Sequence, residues 1–303
     1  MSTGLSVIAL AELGVLRARG ADVLTFLQGQ LSCDLSRLTA EHSLLGAYHN
    51  PQGRVVALLR LIRLADDDVA LVLPRELVAS VAQRLARFVL RSKVRLSDDS
   101  PAWQLHGLVG EDSAAGSDLL PAVANACAPL ASARAVRVAP TPARYLVLAA
   151  AGSLPAALAA LPQLPATHWR RLAVADGEPQ VYAATSEEFV AQMLNLDLLG
   201  AIAFDKGCYT GQEVIARAHY RGRVKRRLQR FAAQSAPPAP GTALALADSR
   251  SAKVVLAAEV APGECEFLAV TTLAGEPTEN AARPEAVTAL AVRALPLPYA
   301  LPA

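Results

Sequence analysis

At 303 residues, 53% apolar and 18% charged, the chain has room for two or three folded domains, and its composition excludes a disordered protein. A net charge of only +2 excludes a polyanion partner recruited by overall charge, so any such partner must be met by local charge. Residues 1–20 lack a basic n-region ahead of their apolar run and Glu12 interrupts that run, so no signal peptide is expected; no stretch nears the roughly twenty apolar residues of a membrane span. Cys33, Cys127, Cys208 and Cys265 are scattered without C-x-x-C spacing. That pattern argues against a metal site or a disulfide framework and suits a reducing cytoplasm.

In chain order, Asp22 is placed to cap a short helix over 22–29 that Gly29 ends. The turn "NPQG" at 50–53 separates a strand near Leu44–Tyr48 from "RVVALLRLIRL" at 54–64, and "VALVLP" at 69–74 completes an antiparallel meander. Leu77, Val81, Leu85, Phe88 and Val89 recur at helical spacing over 75–91, and "KVRLSD" returns as a strand. The pattern then repeats loosely: strands in "AWQLHGLVG", "AVRVA" and "RYLVLAA", helices over 118–131 and 153–161. Two rounds of strands with packed helices predict an α+β fold of two ferredoxin-like units, divided here as 1–100 and 101–225. After "SAPPAPG" at 235–241 come short alternating segments with Pro and Gly turns, which predict a C-terminal β-barrel over 226–303.

The segment "DKGCYTGQEVIARAHYRGR", 205–223, carries the most chemistry. Thr210 and Glu213 have capping-box spacing, which predicts a helix starting two residues after Cys208, with Gly222 as its stop. A helix start and the Lys206 charge both favour the thiolate of Cys208, which is otherwise a small apolar core residue. From Arg217 to Arg230 come seven cations (Arg217, Arg221, Arg223, Lys225, Arg226, Arg227, Arg230), and no acid occurs from Val214 to Ala247. Such a run is either a solvated face or a site for phosphate, carboxylate or RNA backbone, with Tyr209 and Tyr220 as stacking faces.

"KGCYTGQEVIARAHYRG" closely resembles the signature of the YgfZ family, folate-binding relatives of the glycine-cleavage T-protein. "FLQGQLSCDL" (26–35), "NPQGR" (50–54), "FVLRSKV" (88–94), "NLDLLGAIAFDKGCYTGQE" (195–213) and "PLPY" (296–299) resemble that family in the same order, so the resemblance spans the chain. It implies two α+β domains and a C-terminal barrel in a ring, with tetrahydrofolate in a central channel. It also implies a role in assembling or maintaining iron–sulfur enzymes, including those that thiolate tRNA, with iron–sulfur enzymes or assembly proteins as partners. The functional cysteine of the family falls on Cys208, framed by Lys206, Gly207, Tyr209, Gly211, Gln212 and Glu213. Its folate-stacking tryptophan falls on Trp169, and a second tryptophan of some members falls on Gly14.

The related aminomethyltransferases carry an Asp-Asp pair whose places here hold Ala57 and Leu58, which cannot move a proton. The expectation is thus a cytoplasmic, tetrahydrofolate-binding accessory protein for iron–sulfur enzymes, acting through Cys208. Arg217, Arg221 and Arg223 are candidates for the folate glutamate tail. Catalytic turnover stays open. The alternatives are a folate-dependent one-carbon transferase and a tRNA-binding module using the Arg217–Arg230 stripe.

Overall fold

A computed structural model describes residues 4–110, 120–139, 142–246, 248, 250–274 and 288–302. The chain divides into two compact units: Met1–Tyr48 with Ala57–Ala166 and Asp205–Tyr209, and His49–Val56 with Thr167–Phe204 and Thr210–Ala303. In order the elements are β1 (Leu5–Ala9), β2 (Leu13–Arg19), α1 (Val23–Gln28), β3 (Leu44–His49), β4 (Val55–Ala65), β5 (Asp68–Pro74), α2 (Arg75–Ala86), β6 (Arg95–Asp98) and β7 (Trp103–Gly110). Then come β8 (Cys127–Leu130), β9 (Ala133–Ala139), β10 (Ala143–Ala150), α3 (Ala156–Ala159), β11 (Gln163–Leu164), α4 (Ala166–Ala175) and α5 (Gln212–Tyr220). The last strands are β12 (Arg226–Ala233), β13 (Ala243–Ala245), β14 (Ser251–Ala261), β15 (Glu264–Thr272), β16 (Thr288–Ala289) and β17 (Val292–Leu295).

The first unit carries two mixed layers. One sheet has the order β3-β4-β5-β2-β6; β2, α1, β4, β5, α2 and β6 follow a β-α-β-β-α-β pattern into which β3 is inserted between α1 and β4, as an extra edge strand beside β4. Its strands are covered by α2, which turns Leu77, Val78, Val81 and Leu85 inward. Each such side chain contributes about 2 kcal/mol of burial. The second sheet has the order β11-β1-β7-β10-β9-β8, so the N-terminal strand β1 slots between β11 and β7. Its core gathers Val7, Leu108, Val147 and the fully buried Tyr145.

Three helix readings change. α2 ends at Ala86 rather than 91, because Arg87 and Phe88 donate to carbonyls only three residues back and Leu90 has a φ of 42°. Phe88 and Leu90 are accordingly exposed, not core. The helix read over 118–131 is absent over its described part, where β8 pairs with β9 instead; Pro129 would break a helix at that interior position. Residues 118 and 119 lie outside the described residues. The helix over 153–161 shrinks to α3 after Pro155. The sequence pattern also missed α4.

In the second unit the C-terminal strands form one sheet, β16-β13-β14-β15-β12-β17. Among the described residues no pairing joins β16 to β17, so the sheet is open and the expected barrel is not closed. Phe231 and Phe267 stack at 5.5 Å in its core with Val254 and Leu244. Among the described residues no helix is long and apolar enough to cross a membrane.

Candidate functional site

The site is built from the chain around α1. Asp22 does not cap this helix; its carboxylate accepts from Lys93 N at 2.7 Å. After Gly29 the chain runs beside β3, where Ser32 N donates to Ala47 O at 3.0 Å and Ala47 N donates to Ser32 Oγ at 2.9 Å. Gly46 leaves the space that Cys33 fills, since a Cβ there would overlap the Cys33 sulfur. Gln28 ties the far end, accepting from Leu35 N at 2.7 Å and donating to Asp34 at 3.0 Å. These constraints aim the carbonyls of Gln28, Leu31 and Cys33 at one point.

Lys206 Nζ occupies that point, donating to all three carbonyls at 2.7 Å each. An ammonium has three donors, and all three are used. Its hydrogen bonds therefore hold the 28–33 segment, and towards Cys208 the ammonium offers its charge rather than a donor. Burial pushes its pKa down from 10.5 to about 8, against the opposing pull of Cys33 and Asp34. The Tyr209 ring stands over the same ammonium, 5.1 Å from its centroid. Tyr209 is buried and its hydroxyl is pushed up to about 12, first by burial and then by Cys33, so its ring is not open for stacking.

Between these two anchored side chains the loop carries Gly207 and Cys208 outward. Cys208 is exposed, whereas Cys33, Cys127 and Cys265 are buried. Burial pushes the Cys33 thiol up to about 12 and raises Cys127 as well. Iodoacetamide at neutral pH should accordingly modify Cys208 alone in the folded protein, with the other three labelled only in denaturant. Equal labelling of Cys33 under native conditions, read by peptide mass, would contradict this.

The capping box is not formed. α5 starts at Gln212 after Gly211, which has a φ of 80°, and no side chain caps it. Glu213 lies exposed in the first turn, and the helix ends at Tyr220 with Arg221 N donating to Arg217 O at 3.0 Å. The cause is local packing. A Cβ on Gly211 would lie 2.6 Å from Asn50 O and 2.9 Å from Gly53 Cα, and one on Gly53 (φ 72°) would lie 2.8 Å from Val214 Cβ. Two glycines thus let the 50–53 turn sit directly against the start of α5, and only glycine adopts both conformations without strain.

The basic stripe divides. Arg227 is buried and donates to both oxygens of Asp197 at 2.9 Å, and Arg230 pairs with Glu266. Neither is open to a polyanion. Arg226 is half-buried, and burial lowers its pKa. Arg217, Arg221, Arg223 and Lys225 are exposed. Trp169 lies on α4 and is half-buried. Ala57 and Leu58 are buried in β4, and Gly14 has no space for a tryptophan: a Cβ there would lie 2.7 Å from Ser100 Oγ. Among the described residues no three His, Cys, Asp or Glu side chains are grouped to hold a metal ion.

The mixed α+β architecture, with its several sheets, places the chain in a known structural class. It superposes on the glycine cleavage system aminomethyltransferase T of Bartonella henselae with a TM-score of 0.71, covering 89% of this chain and 79% of that one at 15% identity. The fold is that of the T-protein. No protein-family model matches the chain. Among curated relatives, the tRNA-modifying protein YgfZ of Sodalis glossinidius (strain morsitans) is 32% identical over 313 residues, spanning 98% of this chain and 94% of the relative. The protein of the same name from Edwardsiella ictaluri (strain 93-146) is 31% identical, spanning 97% and 92%. That from Vibrio vulnificus (strain CMCP6) is 30% identical, spanning 80% and 74%. The chain belongs to the YgfZ family.

Proposed function

We propose that the protein is a tetrahydrofolate-binding accessory factor for the assembly or repair of iron–sulfur enzymes, tRNA-thiolating enzymes among them, and that it acts through Cys208. The observation that carries this reading is the exposed thiol on a loop fixed at Lys206 and Tyr209, whereas Cys33, Cys127 and Cys265 are buried. A thiol held outward on an anchored loop suits contact with a partner protein better than core packing. The tRNA part rests on the name its relatives carry, and the folate part on the T-protein fold and the family resemblance. The family resemblance assigns the pterin contact to Trp169, which is half-buried on α4, and stacking of an indole on a flat pterin is physically apt. Aminomethyl transfer is disfavoured, since Ala57 and Leu58 supply no carboxylate.

In cells lacking the native protein, Cys208→Ala should be expressed and folded but should fail to restore iron–sulfur enzyme activity and tRNA thiolation. Full rescue by a stable Cys208→Ala protein would overturn the role of the thiol. In parallel titrations, Trp169→Ala should weaken tetrahydrofolate binding about tenfold. Equal affinity would remove Trp169 from the site, and a wild-type protein that binds no tetrahydrofolate would remove the folate.

A further inference from the structure

The outer face of α5 carries a groove and a ring cluster that neither the thiol nor a pterin explains. Glu213, Ala216, Arg217, Tyr220 and Arg221 line a surface groove of ≈ 360 Å³ along it. At the end of the helix three rings gather. His219 stacks on Phe204, with centroids 3.7 Å apart and planes 16° from parallel. Tyr220 meets both edge-on, at 6.2 Å from Phe204 and 4.7 Å from His219. Tyr220 is nonetheless 67% exposed, so the cluster fixes the ring's orientation while leaving it open to solvent. Among the described residues Arg217 and Arg221 enter no ion pair, in contrast to Arg227 and Arg230. Arg217 stands in the last turn of α5 and Arg221 just past its end, and both line the groove.

A held aromatic ring flanked by two available guanidinium groups is a pattern for a ligand that alternates flat rings with anions. We propose that this face binds RNA at unpaired nucleotides, with a base stacked on Tyr220 and adjacent phosphates held by Arg217 and Arg221. The proposal deepens the tRNA reading above and rests on it, by placing the RNA on this chain as well as on a client enzyme. Double-stranded DNA keeps its bases stacked inside, a phosphopeptide offers no ring beside each anion, and an anionic membrane would require a larger apolar face. Exposed Arg223 and Lys225 extend the positive face past the helix end, and exposed Glu213 bounds it at the other. The sequence from Val214 to Ala247 has no acid to oppose it.

The test is fluorescence anisotropy with a labelled single-stranded oligoribonucleotide and a tRNA transcript, with inorganic polyphosphate as competitor, over a salt series. Wild type should bind both RNAs and lose affinity steeply with salt. Arg217→Ala/Arg221→Ala should flatten the log–log salt slope by about 1.4, or about 0.7 for each phosphate left without its arginine. Tyr220→Ala should weaken binding about tenfold at an unchanged slope, and Tyr220→Phe should restore it. Polyphosphate should compete poorly, because it offers no base. RNA binding that Tyr220→Ala leaves intact, or that polyphosphate displaces as well as RNA does, would reduce the face to a general anion patch and overturn the proposal. Undetectable RNA binding at low salt would overturn it outright. These outcomes are independent of the Cys208→Ala rescue, on which the accessory-factor reading stands or falls.

Discussion

Arg227→Met should destabilise the second unit by about 3–5 kcal/mol, a lowering of the thermal midpoint on the order of 10 °C. Arg227 sits on β12, is only 4% exposed, and donates to Gln192 O at 3.1 Å, Asn195 Oδ1 at 3.3 Å and both carboxylate oxygens of Asp197 at 2.9 Å. The cost of removing it comes less from the broken bonds than from what stays behind. The Asp197 side chain, 11% exposed, keeps its charge and loses its counter-ion. The damage should spread, because Asn195 also donates to Leu228 O at 3.0 Å and to the Tyr299 hydroxyl at 3.3 Å, and Tyr299 donates to Gly177 O at 2.7 Å. Arg227→Met/Asp197→Leu should recover most of the loss, since it strands no charge. Urea titrations of the three proteins decide this. A single variant within about 1 kcal/mol of wild type would mean that water already shares the pair.

That network shows which parts of the fold were legible in the sequence. The β4–β5 meander, α2 and the 50–53 turn follow from periodicity and turn chemistry, which act between near neighbours. The family resemblance picked out "NLDLLG" and "PLPY" without saying why those residues stand there. Asn195, Asp197, Arg227 and Tyr299 answer that question only in three dimensions, where residues far apart in sequence satisfy one another's buried polar groups. The same holds for Gly211. Read locally, Thr210 and Glu213 form a capping box; in the structure the close approach of Gly53 and Asn50 puts the glycine at the cap. The stripe from Arg217 to Arg230 misled in the same way. Sequence shows charge but not the partner, and Asp197 and Glu266, which take two of its cations, lie outside the run. Cys208 was legible as a residue to watch, but the reason for its exposure lies in the cage that Gln28, Leu31 and Cys33 make for its neighbour Lys206.

Lys206→Met should destabilise the first unit by about 2–3 kcal/mol and reduce rescue even though Cys208 is intact. Three charge-assisted bonds would sum to more, but water reaches the half-buried ammonium and weakens each. Lys206→Arg should not repair the loss. Three carbonyls around a point match the tetrahedral donors of an ammonium, whereas a guanidinium fork is planar and longer. The pH dependence separates this account from simple loss of packing. The folded pKa of Lys206, about 8, lies below its ordinary value of 10.5. Between those two values the unfolded chain binds more protons at this site than the folded one, so the Lys206 contribution to stability rises with pH across that window. Methionine does not titrate. The stability gap between wild type and Lys206→Met should therefore be smallest below pH of about 8 and widen towards about 10.5. A gap that narrows instead would mean that the carbonyls hold the proton more tightly than burial releases it. Hydrogen exchange over 205–209 supplies the link to function: the backbone on both sides of Cys208 should lose protection in Lys206→Met. If exchange there is unchanged while rescue still falls, Lys206 acts on the thiol's chemistry and not on its position.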